Sequence, residues 1–85
     1  MEEDRRIFVC LASKVQADYE KLERFLRERE TPYRKNDTYS VVIDVPLDGC
    51  VRCLGQSLSM QDFVASVYIP GEDRFIYNKN GLIGN

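Results

Sequence analysis

Cys50 and Cys53, separated by Val51-Arg52, carry the most reactive chemistry in this sequence. Two thiols at that spacing can close a disulfide, and a first thiol placed at a helix N-terminus becomes a thiolate able to attack other disulfides. In a regular strand the same pair is inert, because residues 50 and 53 then point to opposite faces and cannot bridge. The third cysteine, Cys10, lies between Val9 and Leu11 and reads as a small core residue. Three cysteines without a histidine fill no tetrahedral zinc site unless Asp44 or Asp48 joins them, so no metal is expected. The absence of histidine also removes the commonest general base. Neither a Gly-x-Ser-x-Gly elbow nor a Gly-rich phosphate loop is present, and Gly49, Gly55, Gly71, Gly81 and Gly84 read as turns, breaks or tail, so no cofactor is expected.

The run Val41-Val42-Ile43-Asp44, with Cys50 six residues after the acid and a strand and helix upstream, resembles the strand, buried acid and CxxC of thioredoxins over residues 41–53. That resemblance implies a dithiol redox or redox-sensing protein in which Cys50 attacks, Cys53 resolves and Asp44 is a buried carboxylate. Val51-Arg52 departs from the small, proline-containing linker of that family. Ile69-Pro70 stands where a cis-proline could be sought, but Pro70-Gly71-Glu72-Asp73 reads better as a turn.

The remaining candidates bind rather than react. Arg24 and Arg27, with Arg29, Arg34, Lys35, Arg5 and Arg6 nearby, could contact phosphate, but Glu20, Glu23, Glu28 and Glu30 interleave with them and cancel most of the field. Tyr39, Phe75 and Tyr77 could stack bases on an open sheet, yet the Lys/Arg-Gly-Phe/Tyr signature of RNA-recognition motifs is missing, which leaves nucleic acid as a third reading. Tyr39, Tyr68, Phe75 and Tyr77 near a sheet face or edge suit a protein interface, where tyrosine is favoured. An unpaired edge strand also invites a second chain. The leading expectation is therefore a non-enzymatic protein-binding module, a regulator, adaptor or inhibitor of the size that phages and plasmids encode, acting alone or as a homodimer through an edge strand. The dithiol protein is the alternative.

These residues must be positioned by a single small core, since 85 residues fall within one domain, with residues 1–4 and 82–85 expected to fray. A hydrophobic fraction of 44% with 31% charged residues of both signs fits a folded chain and excludes a disordered one. A formal charge of −2 gives no field toward nucleic acid or an anionic membrane. The apolar runs are too short to span a bilayer, and Glu2, Glu3 and Asp4 stand where a signal peptide would be basic. Three cysteines, too few for a disulfide framework, favour a reducing compartment, so a soluble cytoplasmic protein is expected.

Arg5 to Ala12 alternates Ile7, Val9, Leu11 against Phe8, Cys10, Ala12, and two apolar faces predict a central strand. Ser13 with Gln16 matches a capping box that opens a helix over 14–30, with Val15, Tyr19, Leu22, Phe25 and Leu26 inward and Pro32 ending it. Asn36-Asp37-Thr38 predicts a turn, Tyr39 to Val45 a strand, and Pro46-Leu47-Asp48-Gly49 a turn into a second strand over 50–56. Residues 57–69 fit both periods, with a helix preferred, and Arg74 to Asn78 predicts a last strand. The resulting β-α-β-β-α-β order suits an α+β two-layer sandwich of the ferredoxin-like plan. The alternative is a single helix on a four- or five-stranded antiparallel sheet.

Overall fold

Ile7, Val9 and Leu11 are buried on one side of strand β1 (Arg6–Leu11), while Phe8 and Cys10 on the other side remain half-buried. The computed structural model describes residues 4–12, 16–37 and 39–78. β1 is central, as its two apolar faces require: β3 (Ser40–Asp44) pairs with it on one side and β4 (Val64–Ile69) on the other. β2 (Tyr33–Asp37) lies outside β3, and β5 (Arg74–Asn78) outside β4. The sheet order is β2-β3-β1-β4-β5, antiparallel throughout.

Two helices, α1 (Gln16–Glu28) and α2 (Val51–Ser59), form the second layer. The units β1-α1-β2 and β3-α2-β4 each step over one strand, so the inner strands interdigitate as two split β-α-β units, and β5 extends the sheet. The core lies between the layers: Leu22, Phe25 and Leu26 of α1 and Leu58 of α2 meet Ile7, Val9, Val41, Ile43, Val64 and Val67. Among the described residues, the other face of the sheet carries no helix. This is the two-layer α+β architecture expected from the sequence.

α1 presents the expected stripe of Leu22, Phe25 and Leu26, with Tyr19 packed alongside; Val15 and the cap at Ser13 lie outside the described residues. The helix ends before Pro32 acts. Glu30 adopts φ 51°, and Thr31 N–H bonds Leu26 O at 3.0 Å while Glu30 N–H bonds Arg27 O at 3.0 Å, the paired closure of a left-handed C-terminal cap. Along α1, Glu23 reaches Arg27 at 3.5 Å, and Glu20 accepts a bond from Gln16 Nε2.

Four expectations are corrected. Of the turn expected at 36–38, Asn36 and Asp37 belong instead to a strand, Tyr33–Asp37, which pairs with β3 as an exposed edge with no apolar alternation to announce it, and Thr38 lies outside the described residues. Pro46–Gly49 does turn, with Gly49 N–H on Pro46 O at 2.9 Å, but it leads into α2 rather than a strand over 50–56. Val51, Leu54, Gly55 and Leu58 are the inward stripe of that helix, so Gly55 is a helix-interior residue and not a break. Residues 57–69 divide: 57–59 finish α2 and 64–69 form β4, the strand reading of that stretch. The observed order is β-α-β-β-α-β-β rather than β-α-β-β-α-β, with different segments in its middle and β5 added at its end.

At Gly55 α2 lies close against β4 and β5. A Cβ there would lie 2.6 Å from Ile76 Cδ1, 3.5 Å from Ile69 Cδ1 and 3.6 Å from Val67 Cγ1. The β4–β5 register shifts between Val67↔Tyr77 and Tyr68↔Phe75, leaving Ile76 as an extra residue in β5. Ile76 and Tyr77 both pack against the core, while Phe75 stays with Tyr68, its ring 5.0 Å away.

Candidate functional site

β3 ends at Asp44, the turn at 46–49 reverses the chain, and Cys50 becomes the N-cap of α2 with φ −102° and ψ 112°. Its sulfur accepts the Cys53 backbone N–H at 3.1 Å, the role a serine or aspartate oxygen usually fills. On a helix, residues 50 and 53 share a face, which removes the geometric objection that a strand would raise. The Cα atoms are 5.2 Å apart, and the two sulfurs are joined as a disulfide. Both cysteines are exposed. No acidic residue stands in the first turn of α2, so the positive end of the helix dipole is not offset there.

One residue holds the approach to this cap. Arg5, ahead of β1, accepts the Val45 N–H on its backbone oxygen at 3.0 Å. Its guanidinium donates to Val45 O at 3.3 Å, to Pro46 O at 2.8 Å and to Gly49 O. Arg52, inside the first turn, pairs with Glu72 Oε1 at 2.9 Å, and Arg74 meets the same oxygen at 3.1 Å. These two guanidinium groups hold the Glu72 carboxyl below the usual carboxylate range. Pro46 and Leu47 are exposed in the turn, Leu47 at 89%.

Asp44 is not the buried acid that the thioredoxin resemblance implies. Asp44 is half-exposed in β3, one residue along from core-facing Ile43, and pairs with Arg34 at 3.4 Å. Pro70 lies in the turn before β5, and no cis peptide bond occurs among the described residues. Cys10 is free and half-buried on the open side of the sheet, not a core residue, because it shares the parity of Phe8 rather than of Val9.

That open side carries the second candidate. The Phe8 and Tyr68 rings stack 6.0 Å apart, Phe75 closes the row, and the three with Cys10 and Ser66 line a hollow of about 380 Å³. Arg6 lies over the Phe8 ring at 5.2 Å while pairing with Asp4 at 2.9 Å, which holds the Asp4 carboxyl below its ordinary range. Tyr68 donates to Asp73 Oδ1 at 2.6 Å; that bond, with some desolvation, raises the phenol above its usual value.

The binding residues suggested by the sequence are therefore dispersed. Tyr68 and Phe75 come together, Tyr77 turns to the core, Tyr39 sits in the β2–β3 turn at 36% exposure, and Arg24 and Arg27 line a groove on α1 with Glu20, Glu23 and Glu28. Phe8 carries no binding role in the sequence reading, and Arg5 enters it only as part of a phosphate patch, not as a clamp on the 45–49 turn. The parity of β1 could have placed Phe8 beside Tyr68; the partners of Arg5 are 40 or more residues away and left no local signal. Among the described residues no group of three or more His, Cys, Asp or Glu could hold a metal ion, and no helix is long and apolar enough to cross a membrane. The chain matches no family model, no curated protein and no solved structure.

Proposed function

We propose that this chain is a dithiol–disulfide exchange protein working through Cys50 and Cys53. The observation that carries the reading is the exposed CxxC on the first turn of α2, with Cys50 as the cap and its sulfur receiving a backbone N–H. Partial positive charge and a hydrogen bond both favour the thiolate, the species that attacks. A purely structural bridge is a weaker explanation, because a loop of only four residues gains about 2 kcal/mol in the chain-entropy picture, against about 4.7 kcal/mol for a loop of 100 residues.

The exchange conserves atoms and electrons without a histidine. The Cys50 thiolate attacks one sulfur of a partner disulfide, forming a mixed disulfide and releasing the partner's other sulfur as thiolate, which takes up a proton. Cys53 then gives up its proton, attacks the Cys50 sulfur and expels the second partner thiolate. The partner gains two electrons and two protons, and the Cys50–Cys53 bond forms. Run backwards, the same steps oxidise a partner dithiol.

Equilibration in glutathione buffers of graded ratio, followed by acid quench, alkylation and intact mass, tests this. The two thiols should disappear together and reversibly while Cys10 stays alkylatable and no dimer forms. Independent loss of single thiols, or a pair that never oxidises, would end the reading.

A second reading, a protein-binding module, is favoured by the Phe8–Tyr68–Phe75 row on the sheet face opposite α1 and α2. Contact there would use aromatic anchors as protein interfaces do. Homodimerisation through β2 is disfavoured by Arg34 and Lys35 along that edge. Phe8→Ser with Tyr68→Ser should abolish capture of a stoichiometric protein partner; undiminished capture would remove this reading.

A further inference from the structure

We infer that Arg5 is a positioning residue for the Cys50/Cys53 pair, an inference that rests on the dithiol reading. Four hydrogen bonds from this one residue close both ends of the 45–49 turn: the Val45 N–H and the Val45, Pro46 and Gly49 carbonyls all meet it. The Gly49 carbonyl belongs to the peptide unit whose nitrogen is that of Cys50. Holding that oxygen fixes the plane from which the Cys50 side chain projects, at the extended φ and ψ a helix cap needs.

A planar guanidinium reaches three carbonyls in a fixed fork, which a lysine ammonium on a flexible stem does not reproduce. It also brings a permanent positive charge to within one peptide unit of the attacking residue. Arg5 belongs to the chain ahead of β1, so the clamp ties the thiol's placement to the central strand of the sheet. The Cys50 cap is set from outside α2.

The rate of Cys50 alkylation by iodoacetamide at pH 7, followed by peptide mass on the reduced full chain, tests the inference, with Cys10 as internal control. Arg5→Ala should slow Cys50 by about fivefold, the scale of losing a helix cap, and leave Cys10 unchanged. Arg5→Lys should fall between the two. A merely structural defect would expose Cys10 and speed its reaction without slowing Cys50. If Cys50 reacts in Arg5→Ala as in the parent, Arg5 has no positioning role; should that variant fail to fold, an Arg5→Lys rate equal to the parent's overturns the inference instead. If the parent's own Cys50 reacts no faster than an unactivated thiol, the dithiol reading fails, and the inference with it.

Discussion

The contact between Gly55 and Ile76 decides how closely α2 seats on the sheet, and it can be measured with a double-mutant cycle. A methyl at position 55 would arrive 2.6 Å from Ile76 Cδ1 but at ordinary contact distances from Ile69 and Val67. Ile76 is half-buried and meets that methyl with the end of its side chain, so it can turn aside; Ile69 and Val67 are fully buried and cannot. Gly55→Ala gains roughly 1 kcal/mol of helix propensity and costs about 0.5–1.5 kcal/mol for an off-rotamer Ile76, so its net effect should be small. In an Ile76→Ala background the obstruction is gone and the same substitution should be stabilising. The coupling energy should then be at least about 0.5 kcal/mol. Gly55→Leu, forced against Ile69 and Val67, should destabilise by about 1–3 kcal/mol, lowering Tm by about 4–8 °C per kcal/mol in a domain of this size. Urea unfolding of the four proteins of the cycle supplies the numbers. Additivity within about 0.3 kcal/mol, together with a Gly55→Leu variant as stable as the parent, would refute this seating of α2.

Two further outcomes are expected. Glu30 holds a left-handed φ that glycine adopts freely, so Glu30→Gly should raise stability by up to about 1 kcal/mol in chemical denaturation; a loss would mean that the Glu30 side chain matters more than its backbone. The Tyr68 phenol is held above the ordinary tyrosine value by its bond to Asp73. A raised folded value means stability fully present below the unfolded value and lost as pH rises through the folded one. Ultraviolet titration should therefore place Tyr68 later than an exposed tyrosine, and Asp73→Asn should bring it earlier and remove that part of the alkaline loss; an unchanged midpoint would show that the bond does not form.

What the sequence revealed depended on whether burial left a period to read. β1, β3 and α1 were legible because Ile7/Val9/Leu11, Val41/Ile43 and Leu22/Phe25/Leu26 repeat at strand and helix spacing and are buried accordingly. β2 left no mark, since Tyr33-Arg34-Lys35-Asn36-Asp37 is an edge strand held by backbone bonds and mostly exposed. α2 was misread because Pro46–Gly49 suggests a hairpin, and because glycine occupies one place of the Val51/Leu54/Gly55/Leu58 stripe where the sheet leaves no room for a side chain. Cysteine is not among the preferred caps, so Cys50 did not announce a helix start. The CxxC was visible as a motif, but its competence hung on strand or helix, which only the three-dimensional arrangement decided. Phe75 and Tyr77 were expected on one face by simple alternation; the extra residue Ile76 separates them.

Trapping the first step of exchange tests the central claim most directly. Reduced protein carrying Cys53→Ser, treated with oxidised glutathione, should accumulate a glutathione mixed disulfide on Cys50, seen by intact mass and reversed by added dithiol. Protein carrying Cys50→Ser should form far less adduct on Cys53 under the same conditions. Equal adducts on both variants, or none on Cys50 while Cys10 reacts, would contradict the assignment of α2's cap as the attacking thiol.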